Sequence, residues 1–391
     1  EKSNCIDNNG QIVEDVLSFE IGIVNVSAGE TVFCYLYFDK MPPDISLVVS
    51  TDGINDTIPT TGIYNVNSSC SNGNVMYNNY YQRLEIGSFR NGTNCSLNYV
   101  KDETEHTLLS SVVQNANSTS YNGYRYSGTN PNNYIWFNNE LWRIIGLIPV
   151  CTAASDGTCS DRTTSLVKII RHNSIGSIAY DAKASGNTGV WGSNTLYTLL
   201  NEYYYGKKYA TDSGYCYGYT PSSAEKWALA KCDYREIGIS DESNDYYGQM
   251  IESVYWNTGG TSYNYTPKQS YTYEIRKVTS EVSKIGIMSA SDYGYAVTSS
   301  LTSNYSSNFI QYSSADISLN NWFYGQGPLW TNNQYASDAS YACQILGEGT
   351  LQYFFYGPAA GLVIKPVVYL KANVYKISGT GSETDPYIIG M

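Results

Sequence analysis

Apolar and polar residues alternate in short runs over residues 1–100, in FEIGIVNV, TVFCYLYF, DISLVVS and RLEIGSF, with Gly, Asn, Asp and Pro-Pro between them. A period of two over four to eight positions, punctuated by turn formers, predicts strands, and strands at this spacing predict a small Ig-like β-sandwich over 1–103. The pattern then changes. Asp102 and Glu105 have the spacing of a capping box, and Leu108, Leu109, Val112 and Val113 would form one apolar stripe, so 104–122 reads as a helical linker. The stretch QNANSTSYNG that closes it offers nothing to bury and marks a seam between domains.

From Tyr124 onward compact apolar strands alternate with long polar loops. IWFNNELWRIIGLI predicts a hairpin turning at Asn138-Asn139, LVKIIRH a third strand, and a helix starts near Asn194 with Leu196, Leu199 and Leu200 on one face. Residues 206–275 hold few apolar runs, and a loop region of that length is functional or stapled. Strands resume in KIGIMSA and in LVIKPVVYLKANV, where Pro366 belongs at an edge or bulge. A turn and one last short strand make up the tail, 377–391. The fold class is thus mainly β with an α+β C-terminal domain over 123–376.

Composition sharpens this picture. Of 391 residues 40 are tyrosine, seven before residue 120 and thirty-three after it, while His106 and His172 are the only histidines. Tyrosine supplies a rigid contact face with a polar tip, whereas acid/base chemistry near neutral pH favours histidine, so the skew points to recognition or assembly. The formal charge of −12, with no Lys/Arg run, excludes nucleic acid as a natural partner. No apolar run approaches the roughly 18 residues of a membrane span.

The nine cysteines are spaced as local pairs and not as the knuckles of thiolate metal sites. Cys151–Cys159, Cys216–Cys232 and Cys70–Cys95 are the expected disulfides, Cys5–Cys34 a fourth, and Cys343 is left as a buried thiol. Each loop closure contributes on the order of 2–3 kcal/mol in the chain-entropy model. Such bonds persist outside a reducing cytosol, and about eight N-x-S/T sequons also fit a secreted or cell-surface protein.

Two constellations could carry a site. Asp241, Ser243, Asp245 and Glu252 match positions 1, 3, 5 and 12 of a calcium loop, with Tyr246 where the turn needs glycine, which makes calcium the candidate cofactor. The second is aromatic: Trp322, Phe323, Tyr324, Trp330, Tyr335, Tyr341, Tyr353, Phe354, Phe355 and Tyr356 fall within 35 residues. Adjacent aromatics on an alternating strand cannot all face one core. Tyr335, Tyr353, Phe355 and Tyr356 are the expected exposed, partner-binding set.

The blocks YRYSGTNPNNYIWFNNELWRIIGLI, LVKIIRH, LYTLLNEYYYG, KIGIMSASDYGYA, NNWFYGQGPLW, ASYACQILGEGTLQYFFYG, LVIKPVVYLKANV and GTGSETDPYII give residues 104–389 a resemblance. They resemble secreted bacterial surface proteins with a C-terminal C-type lectin-like domain, on the formylglycine-generating-enzyme side of that superfamily. SCSNG and GTNCSL are similar to the small β-domains that precede it. The resemblance implies two small sheets and two helices under a surface of long ligand-binding loops, with Trp322 and Trp330 as core anchors. Two places depart from the pattern: Lys365 before Pro366, and Asn332-Asn333 after Leu-Trp-Thr. The oxidase chemistry of the enzyme branch needs a pair of redox cysteines, and Cys343 has no neighbouring thiol, so the resemblance implies fold and not that activity. The expectation is a non-enzymatic protein binding a glycan or protein ligand through aromatic loops. The alternative is a structural subunit of a filament or surface layer, assembled by aromatic packing and by strand addition through VEDVLSFEIGIVNV.

Overall fold

The computed structural model describes residues 4–6, 12–13, 33–35, 45–55, 64–71, 75–78, 83–86, 93–101, 106–117, 121–182, 188–210, 217–218, 227–228, 232–240, 246–353 and 361–391. It is mainly β, 38% strand against 19% helix, as the strand-rich pattern predicts. Two compact units divide the chain, Glu1–Glu105 and His106–Gly390.

In the first unit the strand Thr93–Lys101 lies between Ile45–Thr51, its parallel neighbour, and Tyr64–Cys70, its antiparallel one. Cys70 and Cys95 stand opposite in register and are joined by a disulfide. That bond locks the strand pairing where the buried Cys95, Leu97 and Tyr99 alternate with exposed Asn94 and Ser96. Cys5 and Cys34 are also register partners in a three-stranded sheet, but their side chains lie outside the described residues.

The second unit opens with α1 (Leu109–Ala116). Asp102 and Glu105, the expected capping box, lie outside the described residues, and the helix begins after Leu108 with no side-chain cap. Only Leu109 and Val113 of the expected stripe are buried, because Leu108 precedes the helix and stays 44% exposed. The helix read as a linker packs on the strands of the second unit.

The hairpin forms as its sequence predicts, from β1 (Tyr134–Phe137) and β2 (Glu140–Pro149). Asn138 and Asn139 both adopt positive φ, 55° and 58°, the conformation a two-residue turn matched to strand twist requires. β3 (Ser165–Arg171) pairs with β2, and the sheet continues through Val367–Leu370 to Ile251–Glu252. Tyr124–Arg125 closes the other side against Gly146 and Leu147. Glycine is needed at 146, since a Cβ there would sit 2.2 Å from the Tyr124 carbonyl oxygen.

A second sheet runs in the order Ser177–Ala179, Gly361–Val363, Leu329–Tyr335, Asp338–Ile345, Leu351–Tyr353. The run LVIKPVVYLKANV, expected as one strand, is divided between the two sheets. Pro366 has no N–H to give a ladder and falls between the pieces, its carbonyl accepting from Arg171 N at 2.9 Å. KIGIMSA contributes only Ile285–Gly286 as strand. Asn194 caps its helix by accepting from Tyr197 N at 2.7 Å, with Leu196, Leu199 and Leu200 fully buried, but from Leu199 the helix widens to a π-turn.

Candidate functional site

Tyr335 ends the strand Leu329–Tyr335, and Tyr353 ends Leu351–Tyr353, two strands away across Asp338–Ile345. Their rings stack at 4.3 Å between centroids, inclined by 28°. Tyr263 lies nearly parallel to Tyr335, at 6.3 Å and 7°, and Tyr341 leans on Tyr353 at 5.5 Å. All four rings are half-buried. Tyr263 is brought there by backbone bonds on both sides of Thr261, which donates to Gln334 O at 2.9 Å and accepts from Ala336 N at 2.8 Å. After it Thr266 and Gln269 form a capping box that starts the helix α2 (Pro267–Glu274). Tyr265 then stacks on Tyr273 at 4.8 Å, with the Arg276 guanidinium over the Tyr273 ring at 4.1 Å.

The rest of the strand explains why this face holds its shape. Thr331, Asn332 and Asn333 are buried where the ladder with Asp338–Ile345 is interrupted. Asn333 replaces ladder partners with its amide, accepting from Ala290 N at 2.7 Å and donating to Gly259 O at 3.1 Å, and Asn332 donates to Asn257 O at 3.1 Å. Asn332 and Asn333 are therefore a pair of clamps that holds the 257–261 segment against the strand end. Buried amides cost free energy unless paired; both ends of the Asn333 amide and the Asn332 Nδ2 are paired, which fixes one loop path, while Asn332 Oδ1 has no partner among the described residues.

No protein-family model matches the chain, and neither does any curated protein or solved structure. What the face can do must come from its own chemistry. The neighbouring Tyr335 hydroxyl raises the Tyr263 pKa, and burial with Tyr273 raises that of Tyr265, so both stay neutral phenols at physiological pH. Stacked neutral phenols offer flat apolar faces edged with hydroxyl donors and acceptors.

Of the expected partner-binding set, Tyr335 and Tyr353 are brought together, while Phe355 and Tyr356 lie outside the described residues. Sequence reasoning missed Tyr263, 72 positions from Tyr335 along the chain but stacked on it. Trp322 and Trp330 are buried, 4% and 1% exposed, as core anchors. Asp241 and Asp245 of the expected calcium loop lie outside the described residues. Glu252 is half-buried in a short strand, and one of its carboxylate oxygens accepts from its neighbour Ser253 N at 3.1 Å. Among the described residues no group of three or more His, Cys, Asp or Glu side chains is placed to hold a metal ion.

Cys151–Cys159 is a disulfide that staples a small hairpin, and Cys232 is disulfide-bonded while Cys216, its expected partner, lies outside the described residues. Cys343 is a free, fully buried thiol. His106 stacks on Tyr375 at 5.0 Å. His172 is held neutral by burial, with Lys365 and Arg143 nearby lowering its pKa further.

One buried ionic cluster left no pattern in the sequence. Asp292, in the helix Ala290–Tyr295, binds Arg125 Nη1 at 2.7 Å and Lys168 Nζ at 2.6 Å, all three 8% exposed or less. Lys168 occupies the middle of β3, which is buried on both faces. Glu274 lies close by, accepting from the Ser270 hydroxyl at 2.8 Å and from Ser291 N at 2.9 Å. A lysine at the centre of an apolar strand is the single trace such a cluster leaves in a linear reading.

Proposed function

We propose that the chain is a non-enzymatic extracellular or cell-surface protein, and that its second unit is a lectin-like head that recognises a glycan or protein ligand. The contact surface is the stacked face of Tyr263, Tyr335, Tyr341 and Tyr353. The observation that carries this reading is the near-parallel, half-buried packing of Tyr263, Tyr335 and Tyr353, pinned from behind by the buried Asn332 and Asn333. Tyrosines ordered before binding lose little rotamer entropy on contact, which is how aromatic hot spots gain affinity. The disulfides support an oxidising compartment, and the first unit, read as a β-sandwich, serves as stalk or docking unit.

The resemblance to secreted lectin-like proteins supports the same reading through its blocks between 104 and 389. A second reading is self-assembly into a filament or surface layer by strand addition and aromatic packing. In that case the same tyrosines meet another copy.

A glycan and protein array probed with the full chain, with Tyr335→Ala and Tyr353→Ala as controls, tests the assignment. Binding that either substitution lowers by about tenfold or more, with the melting temperature held, is the expected outcome. Binding untouched by both sinks the site. Electron microscopy separates the two readings: monodisperse particles favour the solitary binder and regular fibres favour assembly.

A further inference from the structure

The second unit also contains a cavity of about 540 Å³ lined by Arg125, Tyr121, Tyr295, Tyr305 and Asn132, among others. That volume falls in the range of small-molecule sites, roughly 300–1,000 Å³. None of its described lining residues is an Asp or Glu. Three tyrosines form an aromatic wall: Tyr121 lies nearly parallel to Tyr295 at 6.4 Å and 18°, and Tyr305 meets both edge-on at 4.9 and 4.7 Å.

Hydrogen-bond donors are in surplus here. The Arg125 side chain is 5% exposed; its guanidinium lies over the Tyr295 ring at 4.9 Å, its Nη1 is committed to Asp292, and its Nε has no partner among the described residues. The Tyr295 hydroxyl accepts from Asn122 Nδ2 at 2.8 Å, which leaves its own hydrogen for a ligand. Lys268 adds a positive charge 5.3 Å from the Tyr121 ring. Behind the wall Lys168 shares Asp292 with Arg125, so two cations lean on one carboxylate, and the nearby Glu274 is engaged by Ser270 and Ser291.

A buried donor without an acceptor is costly, and a ligand that brings the acceptor removes the cost. In a chain of net charge −12 the overall field repels anions, so a pocket whose described lining carries an arginine and no acidic side chain is a local exception. Carboxylates match guanidinium geometry, and the hydroxylated faces of a sugar ring match tyrosine walls with amide and hydroxyl edges.

We propose that this cavity binds an acidic sugar unit, its carboxylate on Arg125 and its ring against Tyr121, the partly exposed ring of the wall. The site is separate from the Tyr335–Tyr353 face and does not depend on it. Titration calorimetry of the full chain with glucuronate, glucose, acetate and hippurate tests it. Saturable glucuronate binding, about tenfold or more tighter than glucose or acetate, is expected. Tyr121→Ala and Asn132→Ala, at partly exposed positions, weaken it about fivefold or more, and Tyr335→Ala leaves it unchanged.

Glucose binding as tightly as glucuronate, or no saturable glucuronate binding up to roughly 10 mM, overturns the proposal. Hippurate matching glucuronate overturns the sugar assignment, and loss of glucuronate binding in Tyr335→Ala overturns the placement in this cavity. Arg125→Lys, which keeps a cation beside Asp292 but removes the fork geometry, weakens glucuronate binding while circular dichroism stays native. Full affinity in that variant contradicts the assigned role of Arg125.

Discussion

Replacing Asp292 by asparagine removes one charge from a site where two buried cations depend on it. Asp292 is 2% exposed, with Arg125 at 2.7 Å and Lys168 at 2.6 Å, and it also accepts from Ser289 N at 2.9 Å. Burial alone would raise its pKa, but Lys168 and then Arg125 outweigh that and hold it at about 2. Breaking a buried pair from one side leaves an uncompensated charge and costs about 3–5 kcal/mol. Asparagine also turns an N–H₂ toward one of the cations, so the upper half of that range is expected at pH 7. Urea unfolding followed by tryptophan fluorescence reads the second unit alone, because all seven tryptophans lie after residue 106.

The sign with pH follows from linkage. A carboxyl whose folded pKa lies below its unfolded value contributes stability that is fully present above the unfolded value of 3.8 and lost as pH falls through about 2. The gap between wild type and Asp292→Asn therefore narrows in acid by about 2 kcal/mol, from a shift of nearly two units at 1.36 kcal/mol each. Adding Lys168→Met to Asp292→Asn removes one of the stranded cations, and the double variant recovers part of the loss. An Asp292→Asn chain within about 1 kcal/mol of wild type at pH 7, or a gap that does not change between pH 7 and 2.5, would refute the account of the cluster.

Two further predictions test the frame around the site. At the exposed turn residue Asn139, φ 58°, glycine leaves stability within about 0.5 kcal/mol, whereas valine, which resists positive φ, costs about 1–2 kcal/mol in the same urea assay. Cys343 is fully buried, and burial raises its thiol pKa, so peptide mapping after iodoacetamide treatment finds it unmodified in native protein and alkylated only as the second unit unfolds. Rapid labelling under native conditions contradicts that burial.

What could be read from the sequence was local. The Asn138-Asn139 hairpin, the Asn194 cap and the Cys70–Cys95 and Cys151–Cys159 bonds each depend on a few neighbouring residues or on a short loop, and each is present. Pro366 was legible as a break but not as the point where the chain passes from one sheet to the other, since that depends on where the strands Ser165–Arg171 and Leu329–Tyr335 wait for it. The Asp292 cluster was hidden for the same reason: its three members come from 125, 168 and 292, and no periodicity links them. In the candidate face, Tyr335 and Tyr353 were found from crowding along the chain. Tyr263 was not, because it arrives through the parallel backbone pairing of Thr261 with Tyr335.

The structure also divides the tyrosine surplus by what the hydroxyl does. Tyr312 donates to Gly294 O at 2.7 Å and Tyr305 to Val297 O at 3.1 Å, each ring buried, one tip fastening a carbonyl in the last turn of the helix Ala290–Tyr295 and the other a loop carbonyl just beyond it. In a unit with long irregular segments, buried backbone carbonyls need partners that strands and helices do not supply. Tyrosine supplies one while filling volume as phenylalanine would, so for these residues abundance reflects loop-stapling and says nothing of a ligand. Tyr263, Tyr335 and Tyr353 differ in kind: their closest described partners are one another, and they remain half-buried after packing. Substituting phenylalanine separates the two roles. Tyr312→Phe strands the Gly294 carbonyl and costs about 1–3 kcal/mol of stability, whereas Tyr335→Phe leaves stability in place and alters only what the face can bind. If Tyr335→Phe destabilised the second unit as much as Tyr312→Phe, the face would belong with the staples and the recognition reading would lose its support.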